Sequence, residues 1–553
     1  MAGLGRYWHT LRHLRPAQIY GRARLRLATR RVDLRPAPPF RQTGGGVWVQ
    51  PARRLPSMLG PSTLRFLNRT EDVSERGWDN PAIEKLWRYN LHYFDDLNAV
   101  DSHSRTEWHM AMLGRWIEEN PPATGSGWEP YPTSLRIVNW IKWSLSGNLL
   151  PPECVQSLAV QTRWLADRLE IHLLGNHLLA NAKALVFAGS FFNGNEAERW
   201  LETGLRLLER EIPEQILSDG GHFERSTMYH ALALEDVLDL CNAARTFSDV
   251  VPELRERRAA WRDRVGPMRH WLAAMSHPDG EISFFNDAAF GIAPPPSELD
   301  NYAIRLGHGP RARIVEGVTH LSESGYVRLE RDQAVAILDI GSVGPDYLPA
   351  HAHADTLAFE LSLFGQRVLV NSGTSLYGTS VERERQRGTA AHNTVVINGE
   401  NSSEVWGGFR MARRAHPVGL SIVPHDPIVI QCSHDGYYRL RGSPKHTRRW
   451  TLTPKTLLVE DRISGKFSIA EARFHLHPTI QIEDTVIAGD SEVVAVLKLP
   501  QGQRVRIAFE TGPVKFEQTS WHPEFGRTVP NMCLANEFSD AIRRTSISWS
   551  RVA

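Results

Sequence analysis

One change of rhythm constrains this chain more than any other feature. From about residue 79 to residue 306, apolar residues recur at helical spacing, notably over 140–145, 155–174, 177–188, 198–208, 231–244 and 260–275. Breaks such as Pro151-Pro152, Asn193-Gly194-Asn195 and Asp219-Gly220-Gly221 separate these stretches. After the loop Ala293-Pro294-Pro295-Pro296-Ser297 the pattern switches to short alternating runs: 326–329, 334–340, 357–363, 367–370, 393–397, 428–430, 448–459 and 493–499. Helices of similar length joined by short turns predict a helical array, an α/α toroid, without the fixed period of a solenoid. Dense short strands without intervening helices predict an antiparallel β-sandwich.

A chain of 553 residues is too long for one ordinary core. The expected organisation is therefore an Arg/Pro-rich segment (1–75) packing on the helical domain, a toroid (76–315) and a sandwich (316–553). With 64 Lys+Arg against 62 Asp+Glu, no global field draws nucleic acid or anionic ligands, so such attraction must be local. Four scattered cysteines without CxxC spacing argue against a disulfide framework or a thiolate zinc site. The basic opening, MAGLGRYWHTLRHLRPAQIYGRARLRLATRR, lacks the apolar core of a secretory signal, and no run could span a membrane. A cytoplasmic location is expected. The opening reads first as a solvated helix face and second as peripheral contact with an anionic membrane.

Three clusters carry chemistry. In His351-Ala-His353-Ala-Asp355, an extended strand would place the imidazoles and the carboxylate on one face. With His392, in Thr389-Ala390-Ala391-His392-Asn393-Thr394, the spacing suits metal ligation or acid/base work, where a lone histidine would merely bond the backbone. In Gly175-Asn176-His177, an amide and an imidazole open an apolar helix, a position that favours an anion such as a substrate carboxylate. Asn176 as a plain helix cap is the competing reading. In the segment from Asp219 to His230, Tyr229 follows Arg225 by one helical turn, so a cation beside the phenol is expected to lower its pKa. A core tyrosine is the alternative.

Together GNHLLANAKALVFAG, DGGHFERSTMYH, HAHADTLAFELSLFGQRVLVNSGT and RGTAAHNTVVING resemble, in order, the heparinase II/III-like family of polysaccharide lyases. WEPYPTSLRIVNWIKW belongs to the same resemblance, which runs from about Trp87 to Arg449. It implies an α/α toroid joined to an antiparallel sandwich, and β-elimination on a uronic-acid polysaccharide or oligosaccharide. It also implies that Asn176 holds the uronate carboxylate. Tyr229 is then the acid and a candidate base, with His351 or His177 as partner base. Arg387 and Arg225 are candidates for substrate charge, and Trp128, Glu129, Arg136 and Trp406 for the cleft lining. The family's structural divalent ion, zinc before calcium, would fall on His353, Asn371 and His392. Asn371 stands where a carboxylate is usual, so Asp355 or water would have to complete the site, or the ion is absent. Two other classes compete: a non-catalytic carbohydrate-binding or assembly protein on the same scaffold, and a glycoside hydrolase using Asp287 with Glu224.

Overall fold

Punctuation by proline and glycine divides the N-terminal half into helices. In the computed structural model, which describes residues 2–27, 31–311, 313–488 and 492–550, they include Thr106–Glu119, Pro130–Leu145, Pro152–Asp167, Gly175–Phe191, Asn195–Gln215, Thr227–Phe247 and Pro252–Ala274. Proline opens three of them, where the missing N–H costs nothing. Short connections fold Gly175–Phe191 against Asn195–Gln215, and Thr227–Phe247 against Pro252–Ala274. Trp87, Trp116, Trp140 and Trp143 are fully buried at the centre of one helical core. One expectation is corrected: the helical run over 155–174 stops at Asp167, and the chain loops before relaunching at Gly175.

The C-terminal half is antiparallel throughout its strand pairs. A five-stranded sheet takes Gly317–Leu321, Tyr326–Arg331, Ala334–Asp339, Phe359–Leu363 and Gln366–Leu369 in sequential order. An eight-stranded sheet and a four-stranded sheet complete the sandwich. The alternating pattern of Lys445–Leu452 buries His446, Arg448, Trp450 and Leu452, every second residue. The single run expected over 448–459 is instead two strands, Lys445–Leu452 and Thr456–Ser464, turned around Pro454, which cannot donate to a ladder. The order is thus a helical toroid followed by a β-sandwich.

The halves are not separate beads. Val370, Trp521 and Phe525 of the β half sit in one apolar core with Leu234, Val237 and Tyr302 of the helical half. Residues ahead of the toroid are also tied down. Arg41 N–H donates to the Phe191 carbonyl at 2.8 Å, and Asn242 Oδ1 accepts from Val49 N–H at 3.1 Å. The two helices Ala2–Leu11 and Pro16–Leu27 reach beyond the helical half, with Thr10 Oγ1 donating to the Met411 carbonyl at 3.3 Å.

Candidate active site

Ser226 starts the site. Its hydroxyl accepts the Tyr229 backbone N–H at 3.1 Å, capping the helix Thr227–Phe247, and donates to the Asp287 carbonyl. Tyr229 therefore lies in the first helical turn, pinned to the loop that carries Asp287. Its ring lies 4.0 Å, centroid to centroid, from that of His351, and its hydroxyl is 2.9 Å from that of Tyr377. Burial, then Tyr377 and Asp287, push the phenol well above its ordinary value. Arg225 plays no part in this: it precedes the helix with φ +59°, and its guanidinium donates to the carbonyls of Ser342 and Glu323. The expected lowering of the Tyr229 pKa is corrected accordingly.

Asp287 organises the other side. One or other of its oxygens takes Arg383 Nη2 at 2.7 Å, His351 Nδ1 at 3.0 Å, His353 Nε2 at 2.8 Å and Thr374 Oγ1 at 3.3 Å. Burial alone would raise this carboxyl, but Arg383 and the two imidazoles hold it well below the carboxylate range. A fixed anion at His351 Nδ1 selects the tautomer protonated there and leaves the Nε2 lone pair free, as a positioning carboxylate does in catalytic triads. Glu224 Oε2 lies 3.8 Å from that Nε2. Neither Glu224 oxygen makes a well-formed hydrogen bond. Burial raises its carboxyl against the pull of His351 and His177.

The segment 351–355 is an irregular loop rather than the expected strand, because its polar groups bond across to the 286–287 loop: Asn286 Oδ1 accepts His353 N–H at 3.0 Å, and Asp355 Oδ2 accepts Asn286 N–H at 3.1 Å. His351 and His353 still converge, through Asp287. On the far side of His353, Asp355 and His392 complete a group whose possible ligand atoms all lie within 4.8 Å of one another. All three residues are deeply buried, and three of the imidazole nitrogens are unpaired. His353 Nδ1 and both nitrogens of His392 lack partners, and burial lowers these imidazoles to about 4 and about 3, keeping them neutral. Neutral imidazoles with orphaned lone pairs beside a carboxylate fit a divalent ion. Asn371 Oδ1 accepts Asn393 N–H at 3.2 Å, and its amide nitrogen is buried without a partner.

At the helix Gly175–Phe191 the cap position belongs to Leu174, and Asn176 stands inside the first turn, bonded to the Tyr131 hydroxyl. The plain-cap reading of Asn176 does not hold. His177 Nδ1 meets Glu170 Oε1 at 3.0 Å, which raises its pKa despite burial, and its ring lies 4.5 Å from Tyr131. Positive φ at four non-glycine residues marks the site: Leu174, Arg225, Asn286 and Leu357. Each immediately precedes or flanks a segment carrying a site residue, where stored backbone strain is characteristic.

Comparison with known proteins decides the family. Residues 78–293 match the model for the heparinase II/III N-terminus, and residues 313–550 match that for the heparinase II/III-like C-terminal region. The chain belongs to the heparinase II/III family. A heparin-sulfate lyase of Bacteroides stercoris is 26% identical over 60% of this chain and 57% of its own length, so the chain spans little more than half of that relative. FtsZ-localized protein C of Caulobacter vibrioides is also 26% identical, over 81% of this chain and 79% of its own. The crystal structure of heparinase III superposes with a TM-score of 0.67 and 18% identity, covering 86% of this chain and 80% of that one, a likeness of fold.

Within this heparinase II/III chain, several expected cleft residues lie elsewhere. Trp128 is buried against Trp116 and Trp164, its Nε1 donating to the Asn120 carbonyl. Arg136 is fully buried, 3.9 Å over the Trp116 ring, with its Nε on Gln161 Oε1. Arg387 is fully buried too, and clamps the carbonyls of Ala352 and Gly408, so it braces the loop carrying His351 and His353. Trp406 faces the first helix, 4.8 Å from Tyr7. Glu129 is partly exposed and takes Lys85 Nζ at 3.0 Å. Tyr377, Arg383 and Tyr131 escaped the sequence reading. Tyr377 lies in a loop without periodicity, and only its flanking Gly373 and Gly378 hinted at a shaped turn.

Proposed function

We propose that this chain is a polysaccharide lyase that cleaves a uronic-acid-containing polysaccharide or oligosaccharide by β-elimination. The observation that carries this reading is the contact between the Tyr229 phenol and a His351 imidazole oriented by a fixed anion. Asn176 and a protonation-prone His177, at a helix start, are suited to the uronate carboxylate, whose neutralisation makes the C5 proton removable. His351 Nε2 takes that proton. Electrons flow to form the C4–C5 double bond as the C4–O4 bond breaks, and Tyr229, kept neutral by its surroundings, protonates O4. A raised His177 pKa makes it a charge partner rather than a base. Arg136 and Arg387 spend their charge inside the protein, which favours a uronate polymer with few sulfates over a heavily sulfated one.

A structural divalent ion on His353, His392 and Asp355 accompanies this reading. It would fix the loop behind His351, and no catalytic step passes through it. The hydrolase alternative loses its acid/base pair, because Asp287 is a saturated anion. The assembly-protein alternative keeps one observation in its favour, the longer match to FtsZ-localized protein C.

A panel of uronate polymers, followed by ultraviolet absorbance of the unsaturated product, tests the proposal. Activity on one polymer, with a loss of about a hundredfold or more in Tyr229→Phe, is expected. Full activity in that variant would overturn the assigned roles. No product from any polymer would favour the assembly protein.

A further inference from the structure

The first 32 residues contain eight arginines and neither Asp nor Glu, in a chain whose formal net charge is only +2. They build two helices whose outward faces are apolar. On Ala2–Leu11, Leu4, Trp8 and Leu11 follow one another at i, i+4 and i+7, and are 79%, 66% and 54% exposed. On Pro16–Leu27, Ile19, Tyr20 and Leu27 are 62%, 65% and 82% exposed, with the exposed Arg22, Arg24 and Arg26 among them. Isolated exposed leucines need no explanation, but large apolar side chains aligned on consecutive helices do.

These helices are fastened by their opposite faces. Trp406 Nε1 donates to Thr10 Oγ1 at 3.2 Å, and Gln18 Nε2 to the Tyr347 carbonyl at 3.3 Å. Gly21 passes so close to His172 that a Cβ would stand 2.7 Å from its backbone nitrogen. Arg15 covers the Tyr347 ring at 3.6 Å. The apolar faces are therefore held outward by packing, on a platform made by both halves of the molecule.

We infer that the helices Ala2–Leu11 and Pro16–Leu27 dock the protein on an anionic phospholipid surface. Trp, Tyr, Leu and Ile enter the headgroup boundary while flanking arginines meet lipid phosphates, the pattern of an interfacial amphipathic helix. Charge decides between occupants: a second copy of this chain would bring its own arginines against these. The platform residues Tyr347 and Trp406 adjoin the loops of His351 and Phe409, so docking sets the candidate site beside the membrane. The inference does not depend on lyase activity.

Co-sedimentation of the full chain with vesicles tests it. Vesicles of phosphatidylcholine with about a third phosphatidylglycerol should bind the protein at least about tenfold better than phosphatidylcholine alone, and salt should weaken the binding. Combined Leu4→Glu, Trp8→Glu and Leu11→Glu should abolish it. Combined Arg22→Gln, Arg24→Gln and Arg26→Gln should reduce it about a hundredfold and flatten the salt dependence. Unchanged thermal melting would show that both variants fold. Absent or charge-independent vesicle binding would overturn the inference, as would a dimer in sedimentation that the Glu variant dissolves.

Discussion

Asp287 bears on more of the site than any other side chain, because Arg383, His351 and His353 all spend a hydrogen bond on it. Asp287→Asn keeps the shape but removes the anion, so His351 loses its preferred tautomer and Arg383 is left as a buried, uncompensated charge. We expect kcat to fall by about three to four orders of magnitude, as when a positioning carboxylate is neutralised in a triad. Stability should fall by about 3 kcal/mol, read from the denaturant midpoint. A variant with normal kcat would mean that His351 is not the base. His392 is tested separately. If His353, Asp355 and His392 hold an ion, elemental analysis of the purified protein should find one equivalent of metal, lost in His392→Ala. Metal retained in that variant would move the site elsewhere.

At the scale of elements, the start of the helix Gly175–Phe191 depends on a glycine. Gly175 has φ +55°, and a Cβ there would stand 2.4 Å from Leu348 Cδ2 of the β half. Gly175→Ala should cost about 1–2 kcal/mol in backbone strain alone and shift Asn176, raising KM more than it lowers kcat. Adding Leu348→Ala should relieve the collision and leave the backbone cost, and full recovery would show that the positive φ is unstrained. Such elements also show what was legible beforehand. Helices read well from the sequence because prolines at 130, 152 and 252 and the 3.6-residue period coincide. The segment from His351 to Asp355 read as a strand because its alternation is real, but its partners lie more than 60 residues away, at 286 and 287. Asn176, Tyr229 and His351 were visible as motifs. Tyr377 and Arg383 were not, since Tyr377 lies in a loop that bears no period and Arg383 in the helix Val381–Arg387, whose two turns are too short to show one. Arg136 and Trp128 looked like cleft residues because nothing in their spacing separates a polar cleft wall from an aromatic core.

At the scale of the whole molecule, each half contains a buried carboxylate held by cations. Burial would raise Asp239, but Lys142 and Lys183 bring it to about 2; burial would raise Asp461, but Arg448 and His446 bring it to about 2. Both groups have an ordinary value of 3.8. A carboxylate with a lower pKa folded than unfolded stabilises the fold fully above the unfolded value, and this contribution disappears as pH falls through the folded one. Each is worth about 2 kcal/mol. The melting temperature should therefore hold steady down to about pH 5 and drop between about pH 4 and 2. Asp461→Asn should lower stability at neutral pH and make the acid limb shallower, while a limb of unchanged slope would show that this ion pair does not set it. Because Val370, Trp521 and Phe525 share a core with the helices, losing either carboxylate should weaken both halves together. Calorimetry across that pH range should then show one transition moving downward, and two transitions separating below about pH 4 would show that the shared core does not couple the toroid to the sandwich.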